Sequence, residues 1–390
     1  MTAETTLTGE TDALTDQGAG LEVAVVGAGA IGATAAYDLA REGADVTLYD
    51  RGTVASGSSG RAAGVCYDAF ATQPDADIAS DSIERFRALS GDETFPFVEC
   101  PYVWFASEGD DERVAAIRDG IDRMQSHGVV ALEMDGDELG ERFPSLRTDD
   151  VAVAGVAGAA GYTDPSAYTA CLAGAATGAG ATLETETLVS VRTDPPRVIL
   201  EDGPTREVDA VLVAAGAHTK RVLADAGLEI AMKPYRVQAL VASHSLSEPM
   251  WFDASATYYV RPHPAGLLAG DGTEFIESDP DTYDRESDPE FADDLCERVG
   301  RRLPDADLEV ERAWAGLCTA TPDRNPLVGR LEDGLYVATG FQGHGFMRAP
   351  AIGQRVATDV LGGDGIDAFD PTRFDGDETF SITEGMAIEE

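Results

Sequence analysis

Leu21-Glu22-Val23-Ala24-Val25-Val26-Gly27-Ala28-Gly29-Ala30-Ile31-Gly32 is the stretch that decides the fold. Its first half is a short apolar run, which reads as a strand of a parallel sheet covered on both faces. Gly27-x-Gly29-x-x-Gly32 then fits a dinucleotide loop. The first glycine permits the tight turn, the second lets the backbone approach a pyrophosphate, and the third lets a helix pack closely on the strand. The Ala-rich segment to about Arg41 reads as that helix. Ala30 and Ile31 therefore stand in its first turn, where N–H groups and a partial positive charge face the phosphates. Asp45 to Asp50 reads as the next strand; Asp50, eighteen residues beyond Gly32, is placed to accept hydrogen bonds from a ribose diol, with Arg51 beside it.

Outward from this unit, charged helices are expected around Asp81 to Leu89 and Asp111 to His127, with a strand at Tyr102 to Phe105 between them. Asp164-Pro165 is an N-cap followed by proline at the first helical position, opening an Ala-rich helix to about Gly180. Strand-like Thr182 to Val191 follows, and Val208 to Gly216 repeats the pattern of a buried strand ending in small residues. Alternating strands at Tyr235 to Ala242, Thr257 to Arg261 and Gly266 to Gly270, with an acidic helix from Pro289 to Arg302, suggest a second domain. Leu335 to Gly340 and a helix from about Ala349 to Leu361 return to the first. The expected class is α/β: a discontinuous Rossmann-like domain (21–75, 150–226, 315–365) with an antiparallel-sheet α+β domain (76–149, 227–314), between an acidic tail (1–20) and a C-terminal tail (366–390).

The 390 residues carry 71 acidic and 28 basic side chains, a net charge of −43, and only Lys220 and Lys233 are lysines. Such a surface repels phosphate backbones and anionic headgroups, which argues against nucleic-acid and membrane-surface partners. Abundant carboxylates with arginine in place of lysine point to a halophilic cytoplasm. Five scattered cysteines, with no C-x-x-C pair or zinc-ligand spacing, suggest neither a disulfide framework nor a metal site. The polar N-terminus lacks the features of a secretory signal, and no charge-free apolar run is long enough to span a membrane. A soluble, cytoplasmic protein is expected.

The glycine loop does not by itself distinguish one dinucleotide from another, and three later stretches carry more specific information. The first is Ser56-Gly57-Ser58-Ser59-Gly60-Arg61-Ala62-Ala63-Gly64-Val65; the second is Ala214-Ala215-Gly216. The third runs from Trp314-Ala315-Gly316-Leu317 through Thr321-Pro322-Asp323, Pro326 and Gly329-Arg330 to Gly334-Leu335-Tyr336-Val337-Ala338-Thr339-Gly340-Phe341-Gln342-Gly343-His344-Gly345-Phe346. By these motifs, from roughly Leu21 to Leu361, the chain resembles the FAD-dependent D-amino-acid oxidase superfamily, which includes glycine oxidase, sarcosine oxidase and D-amino-acid dehydrogenase. The resemblance implies that Ser58, Ser59, Arg61, Ala63, Gly64 and Val65 follow the pyrophosphate and ribityl chain. It places Val189, Ala215 and Gly216 at a second nucleotide contact, and Gly316, Gly340, Gly343, His344, Gly345 and Phe346 around the flavin ring. Glycines at 340, 343 and 345 also suit close approach of backbone N–H groups to a planar ring.

The activity implied is oxidation of a C–H next to nitrogen in an amino acid, N-methyl amino acid or related amine, with hydride passing to flavin and water hydrolysing the imine. No dedicated base is required, because the substrate amine need only be uncharged. Two other readings share these motifs: a flavin-dependent 2-hydroxy acid dehydrogenase, and a flavin-carrying electron-transfer subunit without its own substrate site. Oxygen, a quinone or an electron-acceptor protein would take the electrons. The family's carboxylate anchors are replaced here: Cys318 and Gly343 stand where glycine oxidase has arginine, and Met347 and Tyr67 where sarcosine oxidase has lysine and arginine. Arg61, Arg236, Arg261 and Arg348 are the candidate substitutes. Tyr258 and Tyr259 point to opposite faces of a strand, and one is expected to face the substrate. The candidate catalytic residues are thus Tyr258, Tyr259, Arg261, Cys318 and Arg348. A flavin-linking cysteine of the sarcosine oxidase kind would fall at Gly316, so FAD is expected to be held non-covalently.

Overall fold

The computed structural model describes residues 17–91, 94–247, 249–383 and 385; the expected acidic tail lies mostly outside these. Glu22–Val26 is central in a six-stranded sheet, ordered Leu327–Glu332, Leu335–Thr339, Ala210–Val213, Glu22–Val26, Asp45–Tyr49, Thr182–Glu184. Its strands run parallel except Leu327–Glu332, which is antiparallel to its neighbour. Alternation explains the apolar run. Val23 and Val25 face the core under helices Ala30–Arg41, Pro165–Gly178 and Gly345–Val360. Ala24 and Val26 face the opposite core, against a three-stranded sheet formed by Val189–Thr193, Pro196–Leu200 and Thr205–Glu207.

The second sheet has eight strands, ordered Glu309–Ala320, Lys233–Ser243, Gly266–Asp271, Tyr258–His263, Met250–Asp253, Tyr102–Ser107, Val151–Ala157, Ala131–Met134. Only the pair Met250–Asp253 and Tyr102–Ser107 is parallel. Helix Phe291–Arg302 packs beneath it through Phe291, Leu295 and Val299. The mixed α/β architecture is the one expected, with differences at the joins. Val151–Ala157, placed with the nucleotide half by the sequence reading, pairs in the second sheet. Thr182 to Val191 is not one strand: it breaks at Glu186, whose φ is +52°, and its two ends join different sheets. The helix expected from Asp81 begins at Gln73, with Pro74 in its first turn. The last long helix begins at Gly345, not Ala349, and carries Pro350 inside.

Beyond residue 365 the chain stays docked: Phe369 is fully buried, Ile382 packs beside Tyr235 and Ala320, and Gln342 donates to the Thr383 carbonyl. Buried arginines tie elements together, with Arg85 on Asp38 at 2.5 Å and Arg302 on Asp253 at 2.8 Å. Among the described residues no helix is long and apolar enough to cross a membrane, and no three His, Cys, Asp or Glu side chains gather as metal ligands would.

Candidate active site

The two sheets meet along a cavity of about 580 Å³ whose lining includes Asp50 and the glycine loop on the one hand and Tyr67, His344 and Met347 on the other. Its first wall is the glycine loop. Gly27 has φ +115°, and a Cβ there would strike the Ala214 carbonyl; a Cβ on Gly32 would strike the Gly27 carbonyl. The helix start therefore lies directly on the strand end, with Gly29, Ala30 and Ile31 facing the cavity. Asp50 is held by backbone donors, its carboxylate accepting from Ala28 N–H and Gly52 N–H at 2.7 Å each. Both oxygens retain lone pairs for a ribose diol.

Residues 56–65 form the second wall, laced to the neighbouring sheet. Ser59 Oγ accepts from Ala30 N–H at 2.9 Å, Ser58 Oγ donates to the Leu317 carbonyl at 2.7 Å, and Trp314 Nε1 donates to the Arg61 carbonyl at 3.0 Å. Opposite lie Val189, Ala215, Gly216 and His218.

The far end is an aromatic chamber containing Tyr67, Tyr235, Tyr259, Cys318, Gly343, His344 and Met347. Gly343 has φ +84°, and a Cβ there would sit 3.8 Å from the Tyr235 hydroxyl and 3.9 Å from Cys318 Sγ. His344 caps the Gly345–Val360 helix. Its Nε2 lies 3.1 Å from the Tyr67 hydroxyl, and its ring stands edge-on to Phe70. Burial, reinforced by Arg348 and Arg324, pushes the His344 pKa well below the usual histidine value, so the imidazole is neutral around pH 7. Tyr67 is stacked on Tyr102 with centroids 4.0 Å apart, which fixes the hydroxyl toward His344.

The cavity collects most of the residues named from sequence: Gly27, Gly29, Ala30, Ile31, Asp50, Arg51, Ser58, Ser59, Arg61, Ala63, Gly64, Val65, Val189, Ala215, Gly216, Gly316, Gly343, His344, Gly345 and Phe346 all line it. Gly32 and Gly340 do not; they stand behind the wall, where their missing side chains permit packing on Gly27 and Thr321. Of the candidate catalytic side chains, Tyr259 and Cys318 line the chamber.

Tyr258, Arg261 and Arg348, expected at the site, turn away from it. Tyr258 faces the opposite core, where its hydroxyl donates to the Arg298 carbonyl at 3.2 Å. Arg261 donates to the Ala63 and Pro262 carbonyls and lies over the Tyr162 ring. Burial pulls its pKa down to about 10. Arg348 pairs with Asp75 at 2.7 Å and lies over Phe70. Arg236 is likewise engaged, by Glu274 and Asp288. These buried arginines answer to acceptors within the fold, not to the cavity. Arg348→Met should therefore destabilise the protein by about 3–5 kcal/mol in urea unfolding, because the buried Asp75 side chain loses its ion-pair partner. A substrate-anchoring Arg348 would instead raise KM with stability unchanged.

Arg285, Tyr283 and Pro280 also line the cavity and were missed by the sequence reading, because their loop carries no periodic or glycine signal. Tyr235 was missed as well, although its strand was expected; its face is set by pairing opposite Cys318.

FAD fits these residues: a side-chain-free cradle for the pyrophosphate at Gly27 and Gly29, a fixed carboxylate at Asp50, and an aromatic chamber for the ring. Fold and site define a flavin-dependent oxidoreductase. The chain belongs to the family described as FAD dependent oxidoreductase (DAO), which it matches over residues 22–358. Glycine oxidase of Geobacillus kaustophilus (strain HTA426) is 29% identical over 357 residues, covering 86% of this chain and 92% of that protein. Monomeric sarcosine oxidase of Bacillus sp. (strain B-0618) is 24% identical over 366 residues, covering 88% and 92%. The crystal structure of L-proline dehydrogenase from P. horikoshii superposes with a TM-score of 0.82 at 28% identity, covering 91% of this chain and 98% of that one. The protein is thus an enzyme with FAD as its cofactor, of the amino-acid and amine oxidase type.

Proposed function

We propose that the enzyme oxidises the C–H next to nitrogen in an amino acid, an N-methyl amino acid or a related amine. The observation that carries this reading is the aromatic chamber, continuous with the nucleotide cleft and furnished with hydroxyls and a neutral imidazole. Relatives named for glycine, sarcosine and L-proline support it. FAD supplies the two-electron acceptor for the hydride; the resulting imine is hydrolysed by water to a carbonyl compound and ammonia or a free amine. The chain's own part is alignment and exclusion of water. Tyr67, Tyr235, Tyr259 and Met347 wall the substrate, and neutral His344 with Tyr67 offers hydrogen bonds without placing a charge beside it. A substrate carboxylate would meet Arg61 or Arg285, the arginines lining the cavity toward the second sheet. FAD is held non-covalently: Gly316 offers no sulfur, and Cys318 lies one strand repeat away.

The test is anaerobic bleaching of the flavin by a panel of primary, N-methyl and cyclic amino acids, with ammonia or free amine measured as product. The rate should rise with pH along the titration of each substrate's amine, because burial holds the His344 pKa well below the usual histidine value and keeps it from titrating in the same range. One pH profile shared by substrates of different amine pKa would assign the titration to the protein and overturn the base-free reading. Bleaching by 2-hydroxy acids alone would overturn the substrate class. Acid precipitation should release the yellow colour to the supernatant; colour kept in the pellet would make Cys318 a flavin ligand.

A further inference from the structure

Residues 272–288 leave strand Gly266–Asp271, cross the cavity and return to helix Phe291–Arg302. Thr273, Pro280, Tyr283 and Arg285 line the cavity from above. The two ends of this segment are held differently. At its base, Arg236, 4% exposed, pairs with Glu274 at 2.5 Å and Asp288 at 3.0 Å and donates to the carbonyls of Asp284 and Glu286. Gln238 adds two bonds to Asp288, and Ala315 N–H donates to the Arg285 carbonyl.

The tip reaches across to the nucleotide half. Asp281 meets Arg51 at 2.7 Å, His218 at 3.1 Å, and Arg221. Asp279 adds a second contact to Arg221 at 3.0 Å, and Glu277 pairs with Lys220 at 2.6 Å. Arg51 and His218 themselves line the cavity next to Asp50. The latch therefore shares Arg51 and His218 with the site, while Arg221 and Lys220 hold the tip from outside the cavity lining.

We propose that residues 272–288 are a strap that retains FAD, and that Asp281 is its positioning residue, acting through Arg51, His218 and Arg221. The base is anchored on a buried cation, Arg236, with four partners in the segment, and persists; at the tip both members of each arginine or lysine pair are exposed, and it opens. A dinucleotide as long as the cavity cannot leave sideways while the tip is latched. A single exposed ion pair contributes little, but here the contacts to Arg51, His218 and Arg221 converge on one carboxylate, so its removal releases those three together and leaves only Asp279–Arg221 and Glu277–Lys220 at the tip.

The experiment follows flavin fluorescence as holoenzyme is diluted, at the salt concentration where the wild type melts highest, with no substrate present. Asp281→Asn should release FAD about tenfold faster, the equivalent of roughly 1.4 kcal/mol. Asp281→Glu should recover most of the retention. Arg221→Met should speed release on its own and add little to Asp281→Asn, since both open the same latch. Glu297→Gln, which removes the same charge from an exposed helix pair with Arg301, should leave release unchanged. Apoprotein melting should be the same for wild type and Asp281→Asn. Wild-type release from Asp281→Asn, equal acceleration by Glu297→Gln, or a lowered apoprotein melting temperature would each overturn the strap. None of these outcomes bears on the substrate, which is read separately by bleaching.

Discussion

Gly32→Ala is expected to yield a colourless protein. A Cβ at this position would lie inside contact distance of the Gly27 carbonyl oxygen, and that carbonyl belongs to a turn whose N–H is already fixed to Tyr49 at 2.7 Å. Neither partner is the flexible end of a side chain, so helix Ala30–Arg41 must move away from strand Glu22–Val26. That displacement shifts the helix N-terminus from the pyrophosphate position and pulls Ala30 N–H from Ser59 Oγ. Loss of the anion site and of that crosslink should weaken FAD by at least about 1,000-fold, on the order of 4 kcal/mol. Gly174→Ala supplies the contrast. Gly174 lies inside helix Pro165–Gly178 with nothing within 4 Å of a new Cβ, so the change should leave FAD in place and raise stability by roughly 0.5–1 kcal/mol. A yellow Gly32→Ala protein with wild-type FAD affinity would refute the close approach.

The parts legible in the sequence are those where backbone geometry dictates residue type. Gly27, Gly32 and Gly343 occupy positions where a side chain would collide, adopt a positive φ or fill the chamber, and glycine leaves a visible gap in any pattern. Asp50 was legible because a strand end and a turn fix its distance from the loop. Arginine, by contrast, reads the same whether it serves a substrate or a buried carboxylate. Arg236, Arg261 and Arg348 fell on elements that border the site, yet each turns to partners far away in sequence: Glu274 and Asp288, the Ala63 carbonyl, and Asp75. Tyr258 and Tyr259 show the same limit on a smaller scale. Strand alternation says that they part company; only the pairing of Tyr259 over Gly270 tells which one meets the cavity. The strap was invisible for a further reason. Its latch residues are ordinary acidic side chains in a chain with 71 of them.

That acidic excess sets the second large expectation: transfer from about 2 M to about 0.1 M potassium chloride should lower the melting temperature by more than about 10 °C, because the screening length grows from a few ångströms to about 10 Å. The chain carries 71 acidic against 28 basic side chains, and many arginines are already committed to local partners, including the buried pairs with Asp38, Asp253 and Asp75. The surplus carboxylates therefore face one another over the surface with few cations between them. At low salt their repulsion favours the expanded chain, whose charges lie farther apart. Chloride and potassium should both be replaceable, since the effect is one of ionic strength, whereas a neutral osmolyte such as sucrose should give a much smaller change at low salt. The strap should fail before the fold does. Its tip contacts are exposed and join two halves that both carry surplus negative charge, so FAD release should accelerate at salt concentrations where helix and sheet content is still intact. A melting temperature flat across this range would show that the acidic surface is tolerated without salt.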